Sequence, residues 1–160
     1  MSAAIDVATQ HELEQLHSRY AALLDDGPLA QWPELFTEEC LYLLIPRDNH
    51  DLDLPLAIMR CESRGMLRDR VRAVEQTVMH EPRYLRHHIT NATAVWADGE
   101  LHGVAHYSVL EVLPDALPRV LSCGRYVDRV VRCDDGRLRY AERRCIYDSV
   151  LVPNTIVYPV

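Results

Sequence analysis

Leu13, Leu16, Tyr20, Leu23 and Leu24 recur three or four residues apart, which gives the first part of the chain one apolar helical face. Thr9-x-x-Glu12 just before them has the form of a capping box and places the helix start there. Asp25-Asp26-Gly27-Pro28 stops that helix. Trp32, Leu35 and Phe36 then predict a short second one, which tolerates Pro33 in its first turn. Residues 40–45 form a short apolar run ending at Pro46, the pattern of a strand. Residues 47–55 are polar and without periodicity, and read as a surface loop. Helical spacing returns over residues 63–76 with Met66, Leu67, Val71 and Val74 on one side and arginines on the other.

Beyond Pro82 the period changes from helical to strand-like. Residues 85–96 and 101–113 flank Asp98-Gly99, a hairpin signal, and residues 120–133 and 138–149 flank Asp134-Asp135-Gly136, another. Helices first and an antiparallel meander afterwards predict an α+β domain spanning residues 1–160, its curved sheet wrapped around the N-terminal helices as a cone. The final stretch, residues 150–160, is apolar and punctuated by Pro153 and Pro159. Chain ends fray unless something buries them. This one is expected to pack on its own sheet or into a neighbour, and removing residues 153–160 is expected to weaken assembly while sparing the monomer fold.

Composition narrows the partners. The 160 residues, 48% of them apolar, suffice for one buried core. No run approaches the ~20 apolar residues of a membrane span, and residues 1–10 lack the features of a signal peptide. A cytoplasmic location is therefore expected. A net charge of −7 argues against nucleic acid, which needs clustered positive charge. Five widely spaced cysteines with no CxxC pair suit a reducing compartment. All 17 basic residues are arginine, and Arg125, Arg129, Arg143 and Arg144 crowd the last two strands beside Asp128 and Glu142. Two readings stay open: a salt-bridged sheet face, or an outer surface that meets another subunit. On the second reading those four arginines, with Pro153, Ile156 and Tyr158 of the tail, are the interface candidates.

Candidate chemistry is sparse. The common nucleotide, hydrolase and zinc-protease signatures are missing, as are the paired Cys and His motifs of a mixed-ligand iron–sulfur cluster. His87 and His88 are adjacent on a predicted strand and so face opposite ways; one of them could look into a cone. His102 and His106 share a strand face but lie roughly 13 Å apart, too far to hold one metal. Asp25-Asp26 is either a turn or a carboxylate offered to a pocket beneath the sheet.

Several stretches, taken in order, resemble the β subunits of bacterial aromatic-ring-hydroxylating dioxygenases. They are Tyr20, Leu24-Asp25-Asp26-Gly27, Trp32-Pro33-Glu34-Leu35-Phe36-Thr37 and Cys40-x-Tyr42, then Met66-Leu67-Arg68-Asp69-Arg70-Val71 and Tyr84-x-Arg86-His87-His88-Ile89-Thr90-Asn91. The ending Tyr147-Asp148-Ser149 with Val152-Pro153-Asn154-Thr155-Ile156-Val157-Tyr158-Pro159 looks most like small subunits of salicylate, anthranilate or terephthalate oxygenases. The resemblance implies a cystatin-like cone, the fold of nuclear transport factor 2. It implies a large α subunit as partner, usually three α with three β and β–β contacts in a trimer, and neither a nucleic-acid nor a membrane partner. The α subunit would carry a Rieske two-iron cluster and a mononuclear Fe(II). The β subunit would hold no cofactor, no metal and no catalytic residue. The reaction run by α would be NAD(P)H-dependent hydroxylation of an aromatic carboxylate. The strand around His87 also looks like that of stand-alone cone-fold enzymes similar to scytalone dehydratase and ketosteroid isomerase, and on that alternative Asp26, Tyr42, His87 and His106 are the acid–base candidates.

Overall fold

The computed structural model describes residues 2–77, 82–149, 151 and 156–160. Strand β1 (Ala3–Ala4) is followed by helix α1 (Val7–Asp25), a 3-10 turn (Leu29–Leu35), β2 (Phe36–Pro46), α2 (Arg47–Asp51), β3 (Met59–Cys61) and α3 (Arg64–Gln76). The meander β4 (Tyr84–Ala97), β5 (Glu100–Val112), β6 (Arg119–Arg132) and β7 (Leu138–Tyr147) completes the described elements. Seven strands form one sheet in the order β1-β4-β5-β6-β7-β2-β3. The expected α+β architecture holds, with a correction to the sheet. It is mixed, because β2 runs parallel to β7, pairing Tyr42 with Arg143 and Leu44 with Cys145. No local signal announces that pairing, since the two strands are separated by the whole meander.

Local chemistry explains most element ends. Asp6 is the N-cap of α1, its Oδ1 accepting the Thr9 amide at 2.7 Å, so the helix begins one turn before the expected Thr9–Glu12 box. Ser63 caps α3 in the same way through the Met66 amide. In the β4–β5 hairpin Asp98 and Gly99 take φ of 52° and 81°, the left-handed pair that a two-residue type I′ turn requires. The polar stretch expected as a loop starts with the single helical turn of α2, where the Leu52 amide bonds back to Asp48.

Three bulges reset the alternation of the meander, one of them at Leu121 of β6, between the pairs Val109–Ser122 and Leu110–Val120. In β4, Asn91 and Ala92 stand opposite Ala105 alone, with Asn91 at φ 53°. In β7, Ala141 is the extra residue between the pairs Val130–Tyr140 and Arg129–Glu142. Elsewhere β6 and β7 approach so closely that a Cβ on Gly124 would lie 1.9 Å from the Ile146 carbonyl oxygen.

The core lies between the sheet and the helices. Tyr20, Trp32, Phe36, Tyr42, Tyr126 and Tyr140 are all fully buried within it. Trp32 meets Tyr42 edge to face at 5.4 Å and 88°, and Phe36 at 5.4 Å and 72°, the geometry aromatic quadrupoles favour. Val160 is also fully buried in this core, and Ile156, Val157 and Tyr158 pack against it. The described end of the tail thus packs on its own domain, and its removal is expected to cost the fold stability as well. Pro153 lies outside the described residues.

Candidate functional site

Helix α1 and strand β4 leave a cleft of about 570 Å³ between them, lined by Glu14, His17, Ser18 and Ala21 on one side and residues 87–92 on the other. The β4 bulge shapes its end, where Gln10 Nε2 donates to the freed Ala92 carbonyl at 2.9 Å. Strand alternation sends His87 inward and His88 to the surface, as adjacent strand positions must.

His87 is held by a carboxylate from the end of α1. Its Nδ1 is 2.6 Å from Asp25 Oδ1, while Asp25 Oδ2 accepts the His87 main-chain N–H at 2.9 Å. The carboxylate under the sheet is therefore Asp25. Asp26, the candidate named from sequence, turns outward and pairs with Arg86 at 2.5 Å, because a single helical step rotates a side chain by about 100°. His87 Nε2 is buried without a hydrogen-bond partner. Leaving such a group unmade costs about 1–3 kcal/mol.

His17 reaches the same cleft from α1. Its Nδ1 lies 2.7 Å from the Tyr140 hydroxyl and 2.9 Å from Arg143 Nη2. A guanidinium can only donate, so Nδ1 accepts and the ring proton sits on Nε2. Burial, and then the neighbouring guanidinium, hold the His17 pKa well below its ordinary value of 6.5. The native ring therefore refuses a proton that the unfolded ring takes up, and stability contributed by His17 is lost as pH falls through about 6.5. His17→Asn keeps an acceptor for Arg143 and removes the titration. Urea midpoints compared near neutral pH and near pH 5 are expected to fall further with acid in the parent than in this variant.

Arg143 lies in the core and not on the expected outer surface. Named as an interface candidate, it is fully buried and cannot meet another subunit. Its Nε and Nη2 grip Asp128 at 2.9 and 2.7 Å, and its guanidinium carbon lies 4.0–4.1 Å from the ring centroids of Tyr20, Tyr126 and Tyr140. The other three arginines stay at the surface in ion pairs, Arg125 with Asp51, Arg129 with Glu100 and Glu142, and Arg144 with Glu142.

The remaining acid–base candidates are not brought together. Tyr42 is fully buried, and its hydroxyl is engaged by the main chain of Val160 at 3.0–3.1 Å. His106 lies on the outer face of β5 with Asn91 3.3 Å away. Among the described residues no three His, Cys, Asp or Glu side chains converge as a metal-ligand set, and no helix is long and apolar enough to cross a membrane. Sequence reasoning missed Asp25 as the partner of His87, and His17 altogether. The signal for His17 was present: it stands one residue after Leu16 and three before Tyr20 on the apolar face of α1.

Comparison with known proteins adds the following. A SnoaL-like domain model matches residues 6–144. The chain is 38% identical over 157 residues to the anthranilate 1,2-dioxygenase small subunit of Burkholderia cepacia, covering 97% of this chain and 96% of that protein. It is 28% identical over 150 residues to subunit beta 2 of the terephthalate 1,2-dioxygenase terminal oxygenase component of Comamonas sp, covering 92% and 96%. A crystal structure from Novosphingobium aromaticivorans, described as the beta subunit of an aromatic-ring-hydroxylating dioxygenase, superposes with a TM-score of 0.84 at 35% identity, covering 94% of this chain and 95% of that one.

Proposed function

The chain belongs to the SnoaL-like small subunits of aromatic-ring-hydroxylating dioxygenases, and from that premise we propose that its work is structural: it holds a large oxygenase subunit in a defined assembly and performs no chemical step itself. The observation that carries this reading is the end-to-end likeness to a dioxygenase small subunit. On this reading residues 1–160 act as one domain. The assembly contains three large and three small subunits with small–small contacts in a trimer. The Rieske cluster and the mononuclear iron reside in the large subunit, and the substrate is an aromatic carboxylate, the class for which the anthranilate and terephthalate relatives are named.

Surface chemistry supports an assembly role. Leu52, Leu54, Leu56 and Ile58 all stand exposed in the one segment between α2 and β3, between 44% and 74% open to water. Apolar side chains gathered in this way mark a surface that a partner covers. Arg125, Arg129 and Arg144 project from the outer sheet face, and we assign them, with Ile156, Tyr158 and Pro153, to contacts with neighbouring subunits. The five free cysteines suit the reducing cytoplasm, where we place the complex.

Co-expression with a large oxygenase subunit of the same family, followed by size exclusion and iron and sulfide analysis, tests the reading. A three-plus-three complex with all iron traceable to the large chain is expected. A small subunit that elutes alone and ignores the large chain would sink it.

A further inference from the structure

The α1–β4 cleft has no part in the scaffold reading, yet it is furnished for recognition. Its two imidazoles offer complementary edges. His17 must carry its proton on Nε2, since Arg143 and Tyr140 occupy Nδ1, so it presents a donor. His87 gives its Nδ1 proton to Asp25, and with that single ring proton placed there Nε2, the buried nitrogen without a partner, is an acceptor. A hydroxyl fits a donor beside an acceptor: its oxygen accepts from His17 and its proton goes to His87. A carboxylate does not, because it cannot donate to His87 and would meet Glu14 in the same cleft and Asp25 behind the ring. Ala21, Ile89 and Ala92 supply apolar wall. A cleft of about 570 Å³ exceeds what a bridging water fills.

We propose that this cleft binds a small aromatic ring bearing a neutral hydroxyl, a phenol, with the hydroxyl bridging His17 and His87. Because Nε2 of His87 is buried, entry of the ligand requires a neighbouring side chain to move aside. The site neither requires nor contributes to the assembly with a large subunit, so the two readings stand or fall separately.

Phenol itself is the probe, titrated into the full chain with ring nitrogens of histidine labelled and read by NMR. Saturable shifts of the His17 and His87 ring signals are expected. His87→Asn retains an N–H for Asp25 and lacks the second ring nitrogen, and is expected to weaken phenol binding by about tenfold, the worth of one hydrogen bond to a buried partner. His17→Asn keeps the acceptor for Arg143, removes the Nε2 donor, and gives an independent loss of similar size if the first variant does not fold. Benzene, without a hydroxyl, and benzoate, with a charge, should each bind at least about tenfold more weakly than phenol. Equal binding of phenol by both folded variants, equal binding of benzene, or no saturable shift at all would overturn the assignment; the last would leave the cleft to water.

Discussion

Arg143→Met will destabilise the fold by about 3–5 kcal/mol, the usual result of removing one partner from a buried ion pair. Asp128, 1% exposed at its side chain and with its pKa already pushed up by burial, would have to take up a proton or stay charged with nothing to balance it. The three tyrosine faces that enclose the guanidinium would lose their cation as well. In a domain whose whole stability is of order 5–15 kcal/mol, a loss of this size lowers the melting temperature by roughly 10 °C or more. Thermal unfolding followed by circular dichroism measures it. Pairing the change with Asp128→Leu removes the stranded charge along with its partner, and is expected to recover a large part of the loss. A single variant within about 1 kcal/mol of the parent would show that the pair is not a structural anchor.

A chain cut before Ile156 will lose stability on a similar scale, although only five residues are removed. Val160 acts as an internal ligand for its own core. Its carbonyl oxygen accepts from Tyr20 Oη at 2.5 Å, Tyr42 Oη at 3.1 Å and Cys145 Sγ at 3.3 Å, and its amide donates to Tyr42 Oη at 3.0 Å. Burial drives the Tyr20 and Tyr42 hydroxyls well above their ordinary pKa, so neither can ionise to find a new role. Cutting the tail strands both hydroxyls, at about 1–3 kcal/mol each, and empties the space of a buried valine, worth about 1.5–3 kcal/mol. Urea unfolding of the truncated chain is expected to show a midpoint far below that of the parent, or no cooperative transition. An unchanged midpoint, with loss of assembly alone, would restore the reading in which the tail serves only a neighbour.

Much of the architecture was legible because its causes are local. The apolar face of α1 repeats within four residues, Ser63 and the helix it caps are three apart, and Asp98-Gly99 carries its turn in two residues. The opposite facing of His87 and His88 follows from strand geometry without any tertiary information. The order of resembling stretches identified the family for the same reason: it is a property of the chain alone.

What the chain could not reveal depends on which strand lies beside which. Plain alternation from the buried Tyr140 would turn Glu142 and Arg144 inward and Arg143 out. One extra residue at Ala141, visible only in the register with β6, inverts that phase and sets Arg143 opposite Asp128 in the core. The parallel pairing of β2 with β7 joins residues about a hundred apart, and no window of sequence spans it. The choice of Asp25 over Asp26 rests on one step of helix rotation relative to a strand some sixty residues later. Periodicity and turn chemistry act within a few residues, so sequence determined the elements and the family. Register and rotation act between elements, so only the tertiary structure decided which polar groups face each other: the Arg143–Asp128 anchor, the Val160 latch and the two-histidine cleft.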